Sequence, residues 1–261
     1  MMKRNKKFNL VVIALSILIL GSCSLPPKKE AQLHTKHNYI VLLDLSDRLV
    51  VQENQSERDK QLIQHIYDEF EKKVRNSLYI KSRDELKVVV APQRGANLRT
   101  EVFEDRMYIN MVDIPMIKRK QEEKQRRTDF MANLDSLYRE AKYSQTPEDY
   151  YGADIWKYFY EDLRVDYSKD TLVENYLFII TDGYPIVGKK QVKLQQVKEQ
   201  FPNLHIVLLE ASPRDKDMEW DRVMTIWENW FNEIEIDQYT MIKRGAISKE
   251  MEQIEGVIKG T

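Results

Sequence analysis

The chain has 261 residues, 42% of them hydrophobic and 32% charged, with a formal net charge of −1 and a mean hydropathy of −0.58. That length is enough to bury the core of one ordinary α/β domain, and the near-balanced charge offers no basic footprint for nucleic acid. A single cysteine rules out an intrachain disulfide or a thiolate metal cluster.

Residues 1–22 read as an export signal. Lys3, Arg4, Lys6 and Lys7 precede an apolar core, Phe8 to Leu20, that is too short for a comfortable membrane span. Leu20-Gly21-Ser22-Cys23 resembles the lipobox of bacterial lipoproteins, which implies cleavage before Cys23 and lipidation of that residue, palmitate included. An uncleaved signal anchor is the alternative. Ser24 points to the outer membrane by analogy with other bacterial lipoproteins, so the expected location is the cell envelope, lipid-anchored, facing the periplasm or the exterior. Residues 23–37 hold Pro26, Pro27, Lys28, Lys29 and Glu30 without apolar periodicity, as a tether does. The folded domain is expected over 38–261, and loss of the signal leaves 37 basic against 42 acidic residues, a net charge of −5.

The apolar run Tyr39 to Leu43 predicts a buried first strand. Ser56 can cap a helix carrying Leu62, Ile63, Ile66, Tyr67, Phe70, Val74 and Leu78 at helical spacing. Leu86 to Ala91, closed by Pro92, predicts a second strand, and Val102 to Val112 alternates as an edge strand would. Ile114 to Tyr143 predicts a long charged helix, apolar only from Phe130 through Met131, Leu134, Leu137 and Tyr138, with Lys118 to Arg127 as a solvated face. A short helix around Ile155 to Leu163 leads to a strand, Tyr176 to Ile180, ending at Thr181. Then follow a helix from Lys190 to Phe201, a strand from Leu204 to Glu210, a helix from Asp217 to Ile234, a strand near Ile236 to Ile242 and a helix from Ser248 to Ile258. Strands alternating with amphipathic helices predict an α/β fold: a doubly wound, mostly parallel central sheet, helices on both faces, one antiparallel edge strand. Trp220, Val223, Trp227, Trp230, Phe231 and Ile234 share one side of their helix, as core residues do.

His34, His37, His65 and His205 share no metal-ligand spacing, which argues against a zinc site. GxSxG, a glycine-rich phosphate loop and HExxH are all missing, so hydrolase and nucleotide readings lack their usual motifs. Chemistry concentrates instead where two strands end. Asp44-Leu45-Ser46-Asp47-Arg48 follows the first strand and Thr181-Asp182-Gly183 follows the fourth, and the carboxyl ends of parallel strands are where open α/β sheets build sites. Asp44 and Asp182 would meet on one edge.

These residues resemble the von Willebrand factor A (vWA) domain, whose metal-ion-dependent adhesion site uses DxSxS, a threonine from a second loop and an aspartate from a third. Asp44 and Ser46 match the first two positions, Thr181-Asp182-Gly183 the third loop, and Gly152-Ala153-Asp154-Ile155 is similar to the second. The resemblance implies a Mg2+ or Ca2+ site from Asp44, Ser46, Asp154 and Asp182, and a binding module that takes a protein partner rather than a catalyst. Two departures fall on that site: Arg48 stands where the family has its second serine and Ala153 where it has threonine. A guanidinium offers no acceptor and is repelled by a cation.

Three arrangements stay open. Arg48 points inward and its charge replaces the metal, with forked hydrogen bonds to Asp44 and Asp182; charge balance favours this one. Alternatively Arg48 turns outward while Asp47, Asp154 or water completes a weak site, or the motif is purely structural. Partner contact is expected through Arg48, Asp47 and Tyr184, with Arg94 and Arg99 nearby, and Arg48 suits an acidic partner group. Two other functions compete: a structural component of a secretion- or conjugation-type envelope assembly, and a metal-dependent hydrolase using Asp44, which lacks the second aspartate that haloacid dehalogenase-type phosphatases carry two positions on.

Overall fold

The computed structural model describes residues 35–46, 48–92, 98–143, 153–183, 186, 187, 190, 191, 194, 196–211 and 217–260. The signal, Cys23 and nearly all of the expected tether, together with Asp47, Arg94, Gly152 and Tyr184, lie outside them. Elements run β1 (Lys36–Leu43), α1 (Arg48–Val51), α2 (Gln55–Asn76), β2 (Glu85–Val90), α3 (Thr100–Arg106), β3 (Ile109–Asn110), α4 (Met116–Gln121) and α5 (Glu123–Tyr143). Then come α6 (Ile155–Lys157), a π-helical turn (Tyr158–Asp162), α7 (Leu163–Asp166), β4 (Val173–Ile180), β5 (Ile186–Val187), β6 (Lys190–Gln191), β7 (Leu204–Ala211), α8 (Asp217–Glu233), β8 (Gln238–Lys243) and α9 (Ile247–Lys259).

Six strands form one sheet in the order β3-β2-β1-β4-β7-β8, parallel throughout except for β3. This is the expected doubly wound α/β architecture. Alternation along each strand divides the apolar residues between two cores. Tyr39, Val41 and Leu43 of β1 face Leu62, Ile66 and Phe70 of α2, Phe130 of α5 and Ile254 of α9. Ile40 and Leu42 face Trp156, Phe159, Trp227 and Trp230. The aromatic stripe of α8 is therefore core: Trp220, Val223, Trp227, Trp230, Phe231 and Ile234 are all buried. The chain winds one way from β1 to β2 and the other way from β4 to β7, so the switch point falls between β1 and β4, where such sheets open a crevice.

Several local expectations need correction. β1 begins at Lys36, so His37, assigned to the tether, is in the sheet, with its ring bonded to Asp84. Ser56 does not cap α2: the cap position is Asn54, in left-handed conformation, and Ser56 lies in the first turn. Leu78 is past the end of α2, left-handed and 69% exposed, so it leaves the apolar stripe. Most of Val102 to Val112 is not strand; α3 takes its first half and β3 only two residues. The long charged helix breaks at Glu122. The expected helix from Lys190 is replaced by a hairpin in which Ile186 pairs with Gln191 and Val187 with Lys190, and residues 196–200 are not helical.

Candidate functional site

β1, β2 and β4 end together at the carboxyl edge of the sheet, and the segment before α6 reaches it through Asp154. Asp44 prolongs the β1–β4 ladder by one bond, its N–H donating to Ile180 O at 3.0 Å. Both carboxylate oxygens of Asp44 are then engaged. Oδ1 accepts from the Ser46 N–H at 2.9 Å, and Oδ2 from the Thr181 hydroxyl at 2.8 Å. Thr181 Oγ1 in turn accepts from the Gly183 N–H at 3.1 Å. Asp44 is thus the clasp that binds the first and third motif loops. Asp182 follows Thr181 and is buried, 6% exposed. Asp154 N–H donates to Pro92 O, just beyond β2, while its carboxylate caps α6 at Lys157 N, 3.0 Å away. All three loops therefore share one rim. Asp44 and Thr181 touch, whereas Asp154 is occupied in a helix cap.

Arg48 is the residue that departs furthest from expectation. It is completely buried, 0% exposed, so it cannot meet an acidic partner group. It does point inward, but it does not fork onto the carboxylates of Asp44 and Asp182. Nε donates to the backbone carbonyl of Asp44 at 2.8 Å, and Nη2 to Asp59 Oδ2 at 2.5 Å. A weaker contact reaches Ile180 O at 3.4 Å. Burial opposes the guanidinium charge, but Asp59, then Asp44, Tyr138 and Asp182, outweigh it and hold the pKa above its ordinary value. Asp59 is pushed up to about 6 by burial, against the pull of Arg48. Both partners are therefore ionised at neutral pH, and Arg48 joins the strand ends to α2 as a fixed positive charge under the rim.

A buried polar chain continues from there, and its members went unnoticed in the sequence. Gln55 Nε2 bridges Asp59 Oδ1 at 2.8 Å and Glu210 Oε2 at 2.9 Å, and the Tyr138 hydroxyl donates to Asp59 Oδ2 at 3.1 Å. Arg58 joins Glu210 to Glu250, each at 2.7 Å, and the Gly245 N–H donates to Glu250. Glu210 sits at an irregularity of β7, with φ of 63°, which turns its side chain in under the rim. Two signals were available. Asp59 precedes Leu62, Ile63 and Ile66 by three, four and seven residues, so it lies on the buried stripe of α2, and Glu210 closes the apolar run of β7.

No family model matches the chain, and a search of curated proteins finds no match. Among solved structures, the search returns proximal thread matrix protein 1 from the mussel byssus, 11% identical over 86% of this chain and 47% of that one, with a TM-score of 0.38. The chain thus spans about half the length of that protein, and a likeness at this score carries no functional argument.

Proposed function

We propose that this protein is a lipid-anchored binding module of the bacterial cell envelope, of vWA-like type, that captures a protein partner through the carboxyl rim of its sheet. The fixed charge of Arg48 stands in this reading where the family places a divalent ion. The observation that carries it is the meeting of the segments at Asp44, Asp154 and Thr181 at the carboxyl edge, with Asp44 tied to Thr181, Asp154 bonded to Pro92 just beyond β2, and Arg48 seated directly beneath. A buried arginine with a carboxylate and two carbonyls around it serves the same electrostatic need as a cation among acidic ligands. Asp44, Ser46, Asp154 and Asp182 then act as loop anchors rather than as a Mg2+ or Ca2+ set. Contact with the partner falls to exposed residues between β1 and α2, Val50 on α1 and Glu53 and Asn54 in the turn after it, instead of Arg48.

Site-specific photo-crosslinking in cells tests this. A crosslinker at Val50, 50% exposed on the rim, is expected to trap a defined protein adduct that survives chelation of divalent ions and is lost in Asp182→Ala. The same group at Leu172, exposed beside the start of β1 at the opposite edge, is expected to trap none. Equal labelling from both positions removes the rim from the reading, and adducts abolished by chelation restore a metal to it.

A further inference from the structure

A second cluster of ligand-type side chains lies away from the rim, between α2 and α9. One ligand atom each from His65, Glu69 and Glu255 fall within 4.8 Å of one another. His65 and Glu69 are four residues apart on α2 and share a face. The His65 Nε2 lies 2.9 Å from the backbone carbonyl of Met251, one helical turn before Glu255. A carbonyl oxygen only accepts, so Nε2 carries the proton, and the lone pair of the neutral ring is on Nδ1. Metal-binding histidines are oriented and made more basic by such a bond from the nitrogen opposite the metal. Among the described residues no ion pair joins His65 to either glutamate; the glutamates pair with surface lysines, Lys72 on Glu69 at 2.5 Å and Lys259 on Glu255. Glu69 is itself buried, 3% exposed.

We propose that His65, Glu69 and Glu255 bind one divalent transition-metal ion of the Zn2+ type, clasping α9 to α2, independently of the rim. An imidazole nitrogen with two carboxylates suits Zn2+, Co2+ or Mn2+ better than Mg2+ or Ca2+, which prefer all-oxygen shells. Three atoms so placed need to draw inward by less than about 1 Å each to reach the bond lengths of roughly 2.0–2.2 Å that Zn2+ takes with nitrogen and oxygen. Lys72 and Lys259, both more than half exposed, are weak competitors that swing into solvent when the ion enters. Water fills the remaining position. The spacing of histidines along the chain could not reveal this site, because two of its ligands are carboxylates and one comes from the far end of the domain.

Calorimetric titration of Zn2+ into the metal-free full chain in detergent tests the site, with Co2+ absorption as a second readout. About one equivalent is expected to bind, with affinity reduced at least about tenfold in His65→Ala and in the Glu69→Gln, Glu255→Gln double variant. Glu255 is partly exposed, so Glu255→Gln alone keeps the test open should the others fold poorly. Lys259→Ala is expected to tighten binding, and His205→Ala to leave it unchanged. No Zn2+ heat in the wild type, or affinity equal in wild type and His65→Ala, overturns the assignment.

Discussion

Arg48 and Asp59 face each other with both side chains fully out of solvent, and their value lies in being together. Taking two charges out of water costs several kcal/mol per ion, so the pair adds little over an apolar substitute, whereas removing one partner strands the other. Asp59→Ala is therefore expected to destabilise the protein by about 3–5 kcal/mol, and Arg48→Met combined with Asp59→Leu to recover most of that loss, as measured by urea unfolding. Glu210 and Glu250 share Arg58 and diverge in acidity. Burial lifts Glu250 to about 7, aided by the nearby charge of Glu210 and opposed by the Gly245 N–H. Burial also acts on Glu210, but bonds from Arg58 and Gln55 overcome it and hold that carboxyl below the ordinary range. Folded Glu250 binds a proton more readily than it does in the unfolded chain, so its contribution is full below about pH 4.5 and is lost as pH rises through about 7. Asp59 acts in the same sense between about pH 4 and 6, while Glu210 acts in the opposite sense, losing its contribution as the pH falls below the ordinary carboxylate range. Between about pH 5 and 7.5 the wild type should lose stability relative to Glu250→Gln, on the order of 2 kcal/mol. Parallel pH profiles of the two in urea titrations would contradict the role given to Glu250.

At the scale of elements, the third rim loop is held by α8. Gly183 adopts φ of 85°, and its carbonyl accepts from Trp227 Nε1 at 2.9 Å. A Cβ at position 183 would lie 2.7 Å from Val223 Cγ1. Gly183→Ala is expected to cost on the order of 1–3 kcal/mol, and Val223→Ala to relieve the collision but not the left-handed backbone, giving partial rescue in thermal unfolding. The long elements were legible because their signals are local and strong: unbroken apolar runs for β1, β4 and β7, and a 3.6-residue stripe for α2 and α8. Where two signals competed, tertiary contact decided. Phe103 and Met107 are both buried, an i,i+4 pair that makes α3 helical despite the alternation around it. Strand pairing of Val187 with Lys190 likewise took the place of the helix that the spacing from Lys190 onward suggested. Of the candidate site, Asp44, Ser46 and Asp182 were legible from the strand ends. The partner of Arg48 was not, because Asp59 is eleven residues on in another element and only folding brings the two together.

At the scale of the molecule, no helix among the described residues is long and apolar enough to cross a membrane. In our reading attachment rests on Cys23, outside the described residues. Cys23→Ser is expected to move the protein from the membrane pellet to the soluble fraction and to abolish incorporation of labelled palmitate, while retention in the pellet would favour an uncleaved signal anchor. Acyl chains on one residue hold firmly because each buried methylene contributes roughly 0.8 kcal/mol. The two ends of the sheet then have separate tasks. β1 starts at one edge of the sheet, and the rim lies at the other, a strand length of eight residues away, so in our reading the anchor and the partner surface are kept apart. The seating of Arg48 also gives that rim a particular independence. An ion held by acidic loops comes and goes with its supply, and a competitor or a chelating neighbour can strip it out; a guanidinium joined to the backbone by covalent bonds can be neither starved nor washed away, so in our reading the rim holds its shape from the moment the chain folds, whatever the ion supply.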